Sequence, residues 1–364
     1  MSSSYIKDNK ISISAEQWQE LNLNHSKDYL IEMLSDLMEG LPLPYREITE
    51  EEAYQDYLNL CKQGSSALIK KGSFYSRYTY KYPFSDVYID SSNVGNKSSD
   101  FYHLRSRWLC DSINSPSPFR VWTIPKFRKS LLNSLWSLKV QEVNNNVLRS
   151  CMGLRKYIAS QFRPSAAKAI YEHFNAEHVL DFSSGWGDRH SAFHAASCTK
   201  TYVGVDPNQT LFEGYAKQQI MYNSDKDVEF INAAAEDVDF NRFADKFDMI
   251  FTSPCYYIIE RYTNEPNQAW VRYKKLQDWL DKFLFAVINN TYCTLKKGGI
   301  LAINISDVYC NHTVNLICNP MLKFAESLGY KYIGAYGLRM AKRPNSKAVG
   351  GGIFGEPIWI LQKQ

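Results

Sequence analysis

The stretch from Val179 to Asp206 constrains this chain more than any other. Val179 and Leu180 lead into an acid, Asp181, and the turn that follows holds Gly185 and Gly187. A helical segment from His190 to Ala196 comes next, then a β-rich run from Tyr202 to Val205 that again ends in an acid, Asp206. Strand, glycine turn, helix, strand and acid is the plan of a nucleotide-binding βαβ unit. Glycines let the backbone turn sharply and come close to a ligand. An acid closing the second strand can accept both hydroxyls of a ribose. An ordinary tight turn would also account for two glycines after a strand, so the next strand end matters.

Phe247 to Phe251 is a compact apolar run, and Thr252-Ser253-Pro254-Cys255-Tyr256-Tyr257 follows at once. Together the two pieces resemble the class I S-adenosylmethionine-dependent amino-methyltransferases of nucleic acids, whose (Asp/Asn/Ser)-Pro-Pro-(Tyr/Phe) motif ends the fourth strand. The Ser-Pro-Pro-Tyr version is similar to that of enzymes methylating cytosine N4 in DNA. The resemblance covers the chain from about Phe162 to its end. It implies an α/β fold for residues 151–364, a Rossmann-like seven-stranded methyltransferase sheet with helices on both faces. Residues 1–150 are expected to form a mostly helical, basic and aromatic N-terminal region.

The same resemblance distributes roles. Asp181, Ser183, Gly185 and Gly187 fall to the amino-acid end of S-adenosylmethionine, Asp206 to its ribose, and Pro207 and Asn208 to its adenine. Relatives often carry an acid where Ala234 stands, to read the adenine amino group, which leaves Ala235 backbone or Glu236 for that contact. Arg163 and Pro164 take the place of an element that closes over the cofactor, although a plain helix N-terminus explains them equally. Ser253 and Pro254 would accept the two hydrogens of an exocyclic amine, turning its lone pair toward the methyl donor. Catalysis is then placement and electrostatics. Tyr256 would stack on a base flipped from a duplex or taken from a single strand. Cys255, Tyr257 and Tyr262 would line the substrate side.

Cys255 departs from the usual second proline. Pro254-Cys255 is also the dipeptide of enzymes that attack cytosine C5 through a thiolate, but their Glu-Asn-Val element is absent from the sequence. Adenine N6 in DNA or RNA is the nearest alternative substrate. A cofactor-binding protein without activity is a further reading, since Ser183, Ala234 and Cys255 all depart from the pattern.

Composition sets the frame. With 45% hydrophobic and 22% charged residues the chain is an ordinary globular protein. No apolar run reaches membrane-spanning length, so neither a membrane partner nor a signal peptide is expected, and the reading is cytoplasmic or nucleoid-associated. The 8 cysteines show no Cys-x-x-Cys spacing, so no metal site is expected. The net charge of +4 hides an asymmetry. Met1–Leu60 holds 4 Lys/Arg against 12 Asp/Glu, a net of −8, whereas Cys61–Ser150 holds 14 against 5, a net of +9. In the basic part, Phe74 to Tyr82 alternates rings with polar or basic residues as a strand would. Arg77, Arg105 and Arg107 are therefore expected to meet phosphates of a nucleic-acid partner, DNA before RNA, with rings beside them for unpaired bases. Lys342, Arg343 and Lys347, in a glycine-rich loop near the end, could touch phosphate or stay solvated. Only 66 positions separate Gly187 from Ser253, too few for a recognition domain, which places recognition in the N-terminal part.

Overall fold

The computed structural model describes residues 2–155, 157–341 and 352–364. Two compact units emerge, one of Met1–Glu47 with Leu104–Ser160 and one of Ile48–His103 with Gln161–Gln364. The cut expected near residue 150 thus runs differently: residues 48–103 cluster with the large sheet.

The first unit is helical around one apolar core. Its opening helix, Ala15–Asn24, begins with the capping box that Ser14 and Gln17 predict: each side chain accepts the other residue's N–H. The next helix, Lys27–Leu37, buries Leu30, Ile31, Leu34 and Leu37, spaced to share one face. They pack with Trp18, Trp108, Trp122, Leu131 and Leu148.

The second unit is built on a sheet of ten strands. In chain order they are β1 (Ile69–Lys71), β2 (Phe74–Tyr75), β3 (Val87–Ile89), β4 (His178–Asp181), β5 (Thr201–Asp206), β6 (Asp227–Asn232), β7 (Phe247–Thr252), β8 (Leu295–Asn304), β9 (Tyr330–Arg339) and β10 (Ile353–Lys363). Their order across the sheet is β6-β5-β4-β7-β8-β10-β9-β3-β1, with β2 paired to β10. From β6 to β8 the strands are parallel, and β10 runs antiparallel to both its neighbours β8 and β9. That is the Rossmann-like arrangement expected, with β10 as an antiparallel strand inserted between β8 and β9.

The count is ten rather than seven because the 48–103 segment adds β1, β2 and β3. Each is two or three residues long, too short to leave a period-2 signature. The aromatic alternation from Phe74 to Tyr82 is strand only at Phe74–Tyr75. Its rings pack inward instead. Phe74 stacks on Phe84 at 4.3 Å, and Tyr80 meets Trp359 edge-on at 4.9 Å. Gly337 and Gly355 lie under the Phe74 ring, where a Cβ on either would press into it.

Strands β4, β5 and β7 read as continuous apolar runs because both faces of a parallel sheet are covered. The crossover helix α1 (Asp188–Ala195) is buried at every position despite the sequence Asp-Arg-His-Ser-Ala-Phe-His-Ala. Its polar groups satisfy one another. His190 and His194 bond to each other at 2.9 Å, and Ser191 accepts from Gln218 Nε2 at 2.9 Å. Burial holds both imidazoles neutral, His190 down to about 3 and His194 to about 2. The stretch joining β9 to β10, with Lys342, Arg343 and Lys347, lies outside the described residues.

Candidate active site

Strands β4 and β7 are direct neighbours, with Met249 opposite Val179 and Ile250 opposite Leu180. The loops that follow them therefore leave the sheet side by side at its carboxyl end. Strand order reverses direction between these two strands, the place where open parallel sheets bind ligands.

In the loop after β4, Gly185 and Gly187 have φ of +59° and +73°, values glycine adopts without strain. They serve different ends. A Cβ on Gly187 would collide with the Gln218 amide, so that glycine packs the turn onto helix α2 (Phe212–Tyr222). A Cβ on Gly185 would meet only Ser183 O at 3.8 Å, so the turn is open there. The Gly185 N–H donates to Asp206 Oδ2 at 2.8 Å, and the Asn208 N–H donates to Oδ1 at 2.9 Å. Asp206 is thus fixed against the open glycine. Burial, only partly offset by these two N–H bonds, pushes its carboxyl up to about 7.

Asp181 behaves differently from expectation. Its carboxylate is fully buried and accepts Arg189 Nε at 2.7 Å, Arg189 Nη2 at 3.3 Å, Tyr202 OH at 2.8 Å and the Ser183 N–H at 3.2 Å. Arg189 Nη2 also donates to Ser183 O. The pair braces the turn from within, and Asp181 has no oxygen left for a ligand amine. Arg163 is likewise engaged elsewhere: Nη1 donates to Ser91 O at 3.1 Å and Ser91 Oγ at 3.0 Å. Pro164 opens the helix Pro164–His173 and lies buried.

After β7, the Ser253 hydroxyl donates to Asn304 O at 3.1 Å, which leaves its lone pairs to accept. Tyr256 OH lies 3.4 Å from the same carbonyl, and Glu356 on β10 is near Tyr256 and the Asn304 side chain. Burial lifts Glu356 to about 7. Burial also raises Glu260, which is bonded to Tyr262. Tyr257, expected on the substrate side, points away. It is buried, its hydroxyl donates to Lys274 O at 2.6 Å, and its φ is +55°. An aromatic residue in that region costs about 1–3 kcal/mol, a strain held by the core that grips its ring.

The segment after the Ser-Pro-Cys-Tyr turn folds back over the glycine turn. Tyr262 meets Trp186 edge-on at 5.4 Å, Asn267 Nδ2 donates to Pro207 O at 3.0 Å, and Tyr273 OH donates to Glu236 Oε1 at 3.0 Å. The glycine turn, Asp206, Pro207, Glu236 and the loop after β7 are thereby joined through direct contacts. Ala235, at the end of β6, is buried beside Glu236. Burial pushes the Cys255 thiol up to about 12, which disfavours the thiolate that a nucleophile needs. Incubation with DNA carrying 5-fluorocytosine is expected to give no covalent complex; a denaturation-resistant adduct lost in Cys255→Ala would restore the C5 reading.

The basic residues do not gather here. Arg77 is exposed, with its guanidinium 5.4 Å from the Tyr78 ring. In the helical unit, Arg105 is exposed over Tyr45 at 5.9 Å, while Arg107 is buried and donates to Ala159 O at 3.1 Å. Arg107 is therefore placed by packing, not by a phosphate. Sequence reasoning missed Arg189, Asn304, Glu356 and Asn267. Asn304 and Glu356 stand alone in or beside apolar runs, the one signal that could have marked them. Among the described residues no group of three or more His, Cys, Asp or Glu side chains is arranged to hold a metal, and no helix is long and apolar enough to cross a membrane.

No protein-family profile matches the chain, and no curated protein matches it. Solved structures do. TrmN from Thermus thermophilus is 15% identical with a TM-score of 0.34, over 55% of this chain and 49% of that one. The 1,6-didemethyltoxoflavin-N1-methyltransferase of Burkholderia thailandensis, solved with S-adenosylhomocysteine, is 14% identical at 0.36, over 54% and 76%. The tRNA (m1A58) methyltransferase TrmI of Aquifex aeolicus is 13% identical at 0.32, over 56% and 70%. This chain thus spans about half the length of TrmN. Likenesses this remote say nothing of reaction or substrate, which must be read from the residues of this chain.

Proposed function

We propose that this protein transfers a methyl group from S-adenosylmethionine to an exocyclic amino group of a nucleobase, cytosine N4 in DNA first, adenine N6 in DNA or RNA next. The observation that carries the reading is the pairing of two half-sites on adjacent strands: an open glycine fixed to Asp206 after β4 and β5, and the Ser253 hydroxyl turned toward Asn304 after β7.

The cofactor fits what is there. Gly185 has the room that a Cβ would remove, and each Asp206 oxygen, holding one backbone N–H, keeps a lone pair for a ribose hydroxyl. When bound, S-adenosylmethionine supplies an electrophilic methyl on a sulfonium. Everything else falls to the protein. Ser253 Oγ and the Pro254 carbonyl accept the amine hydrogens, and Pro254 offers no competing N–H. Fixing both hydrogens turns the nitrogen lone pair out of the ring and toward the methyl. The proton released after alkylation can pass to water or to the Glu356 carboxylate near Tyr256.

The Asp206 geometry sets a pH dependence. Only the carboxylate accepts two hydroxyl protons, and its carboxyl titrates near 7. Affinity for S-adenosylhomocysteine is expected to rise from pH 6 to 8 and then level, and Asp206→Asn is expected to bind weakly with no such rise. Calorimetric titration across this range checks it; a flat wild-type profile would detach Asp206 from the ribose.

Incubation with methyl-tritiated S-adenosylmethionine and either DNA or RNA, followed by digestion and identification of the labelled nucleoside, tests the function. N4-methylcytosine from DNA is the expected product. N6-methyladenine, or label in RNA alone, would select the alternative. Binding without transfer to either polymer would leave a protein that holds the cofactor but does no chemistry, the reading that the departures at Ser183, Ala234 and Cys255 support.

A further inference from the structure

Something must recognise the adenine of the proposed cofactor, and the Glu236 side chain expected to do so is partly committed elsewhere. Ala234 has no polar side chain, and Glu236 Oε1 already accepts both Arg272 Nη1 at 3.1 Å and Tyr273 OH at 3.0 Å, which leaves Oε2 and the Ala235 backbone as the contacts there. The segment lying over Pro207 offers a different pair. Asn267 Nδ2 donates to Pro207 O at 3.0 Å, which fixes which end of that amide is nitrogen. Its Oδ1 is then a buried acceptor with no hydrogen-bond partner among the described residues. The next residue, Gln268, is 3% exposed, and its Nε2 is a buried donor equally without partner. A buried amide atom left unpaired costs about 1–3 kcal/mol, so two in consecutive residues call for a ligand carrying the complementary atoms.

Pro207 directly follows Asp206. The Asn267 bond to Pro207 O therefore holds its amide one residue from the acid proposed to bind the ribose diol. Resting on that cofactor reading, we propose that Asn267 Oδ1 accepts the 6-amino hydrogen of the adenine and Gln268 Nε2 donates to its N1. The two consecutive amides offer one acceptor and one donor, and the adenine edge presents donor and acceptor in return. Hypoxanthine carries the opposite pattern, with a 6-oxo acceptor and an N1–H donor. Against it Asn267 would face oxygen with oxygen, and Gln268 would face N–H with N–H. The site therefore selects 6-aminopurine nucleosides and rejects 6-oxopurines, and it does so from the segment after the Ser-Pro-Cys-Tyr turn rather than from the end of β6.

Calorimetric titration with S-adenosylhomocysteine and with S-inosylhomocysteine tests this on the full chain. The wild type is expected to bind the adenosyl compound at least about tenfold more tightly, from at least one contact turned repulsive. Asn267→Ala is expected to bind S-adenosylhomocysteine about tenfold more weakly and to lose most of the discrimination. Equal binding of both compounds by the wild type overturns the proposal without any variant, and so does an Asn267→Ala protein that keeps the wild-type ratio. Binding of neither compound by the wild type overturns the cofactor reading itself, and this inference with it.

Discussion

Ser253→Ala is expected to slow methyl transfer by about a hundredfold or more, the scale on which removing one preorganised polar group acts, while affinity for S-adenosylhomocysteine stays within about twofold. The two effects separate because the hydroxyl belongs to the amine side. It sits on the loop after β7 with Asn304 O as its partner, whereas the cofactor side is built from Gly185 and Asp206. Removing Oγ leaves the Asn304 carbonyl with Tyr256 OH at 3.4 Å, so the strand ends keep a tether and the fold is not the casualty. What goes is the acceptor that draws one amine hydrogen aside. An amine held by the Pro254 carbonyl alone keeps its lone pair partly delocalised into the ring, and the barrier rises in the chemical step. Single-turnover methyl transfer to the polymer that the wild type modifies, measured beside the calorimetric Kd, makes the comparison. Transfer at the wild-type rate would remove Ser253 from the chemistry, and a parallel loss of cofactor affinity would make it a structural residue.

How much of this was legible in advance follows from what each residue does. The βαβ unit declared itself because its strands, buried on both faces, must be apolar runs and its turn must contain glycine. Strands β1 to β3 stayed hidden since two or three residues carry no period; β3 and β2 are placed by partners on β9 and β10 more than two hundred positions away, and β1 by β3. The aromatic run from Phe74 misled because alternation of rings and polar groups has two physical causes. Rings can form a platform for bases, or they can seat in glycine-lined depressions of a neighbouring sheet, and Phe74 over Gly337 and Gly355 does the second. Asp181 was assigned to the ligand by position, but position cannot reveal that Arg189, eight residues later, folds back to the same carboxylate. Charge alone could not tell exposed Arg105 from buried Arg107, which differ by two positions on one helix.

Arg189 carries the largest expected effect on stability. Its guanidinium is 4% exposed against an Asp181 carboxylate at 0%, with N–O contacts of 2.7 and 3.3 Å. Taking away one partner of such a pair leaves a buried charge with no counter-charge, which destabilises by about 3–5 kcal/mol. Tyr202 OH and the Ser183 N–H remain as donors to Asp181 but bring no positive charge. Arg189→Leu is therefore expected to lower the urea midpoint by a large part of a typical domain's stability of about 5–15 kcal/mol. The pair with Asp181→Asn discriminates causes. If the loss comes from the uncompensated carboxylate, Asp181→Asn combined with Arg189→Leu should be more stable than Arg189→Leu alone, because the second change neutralises the stranded charge. If the loss comes instead from the contact of Arg189 with Ser183 O and with the Phe162 ring at 5.4 Å, the second change restores nothing. The double variant also reaches function through the turn. Even with stability partly recovered, Ser183 and Gly185 lose the brace that sets their backbone, so affinity for S-adenosylhomocysteine should stay reduced. A double variant that binds like the wild type would mean that Gly185 and Asp206 hold the turn without help from the buried pair.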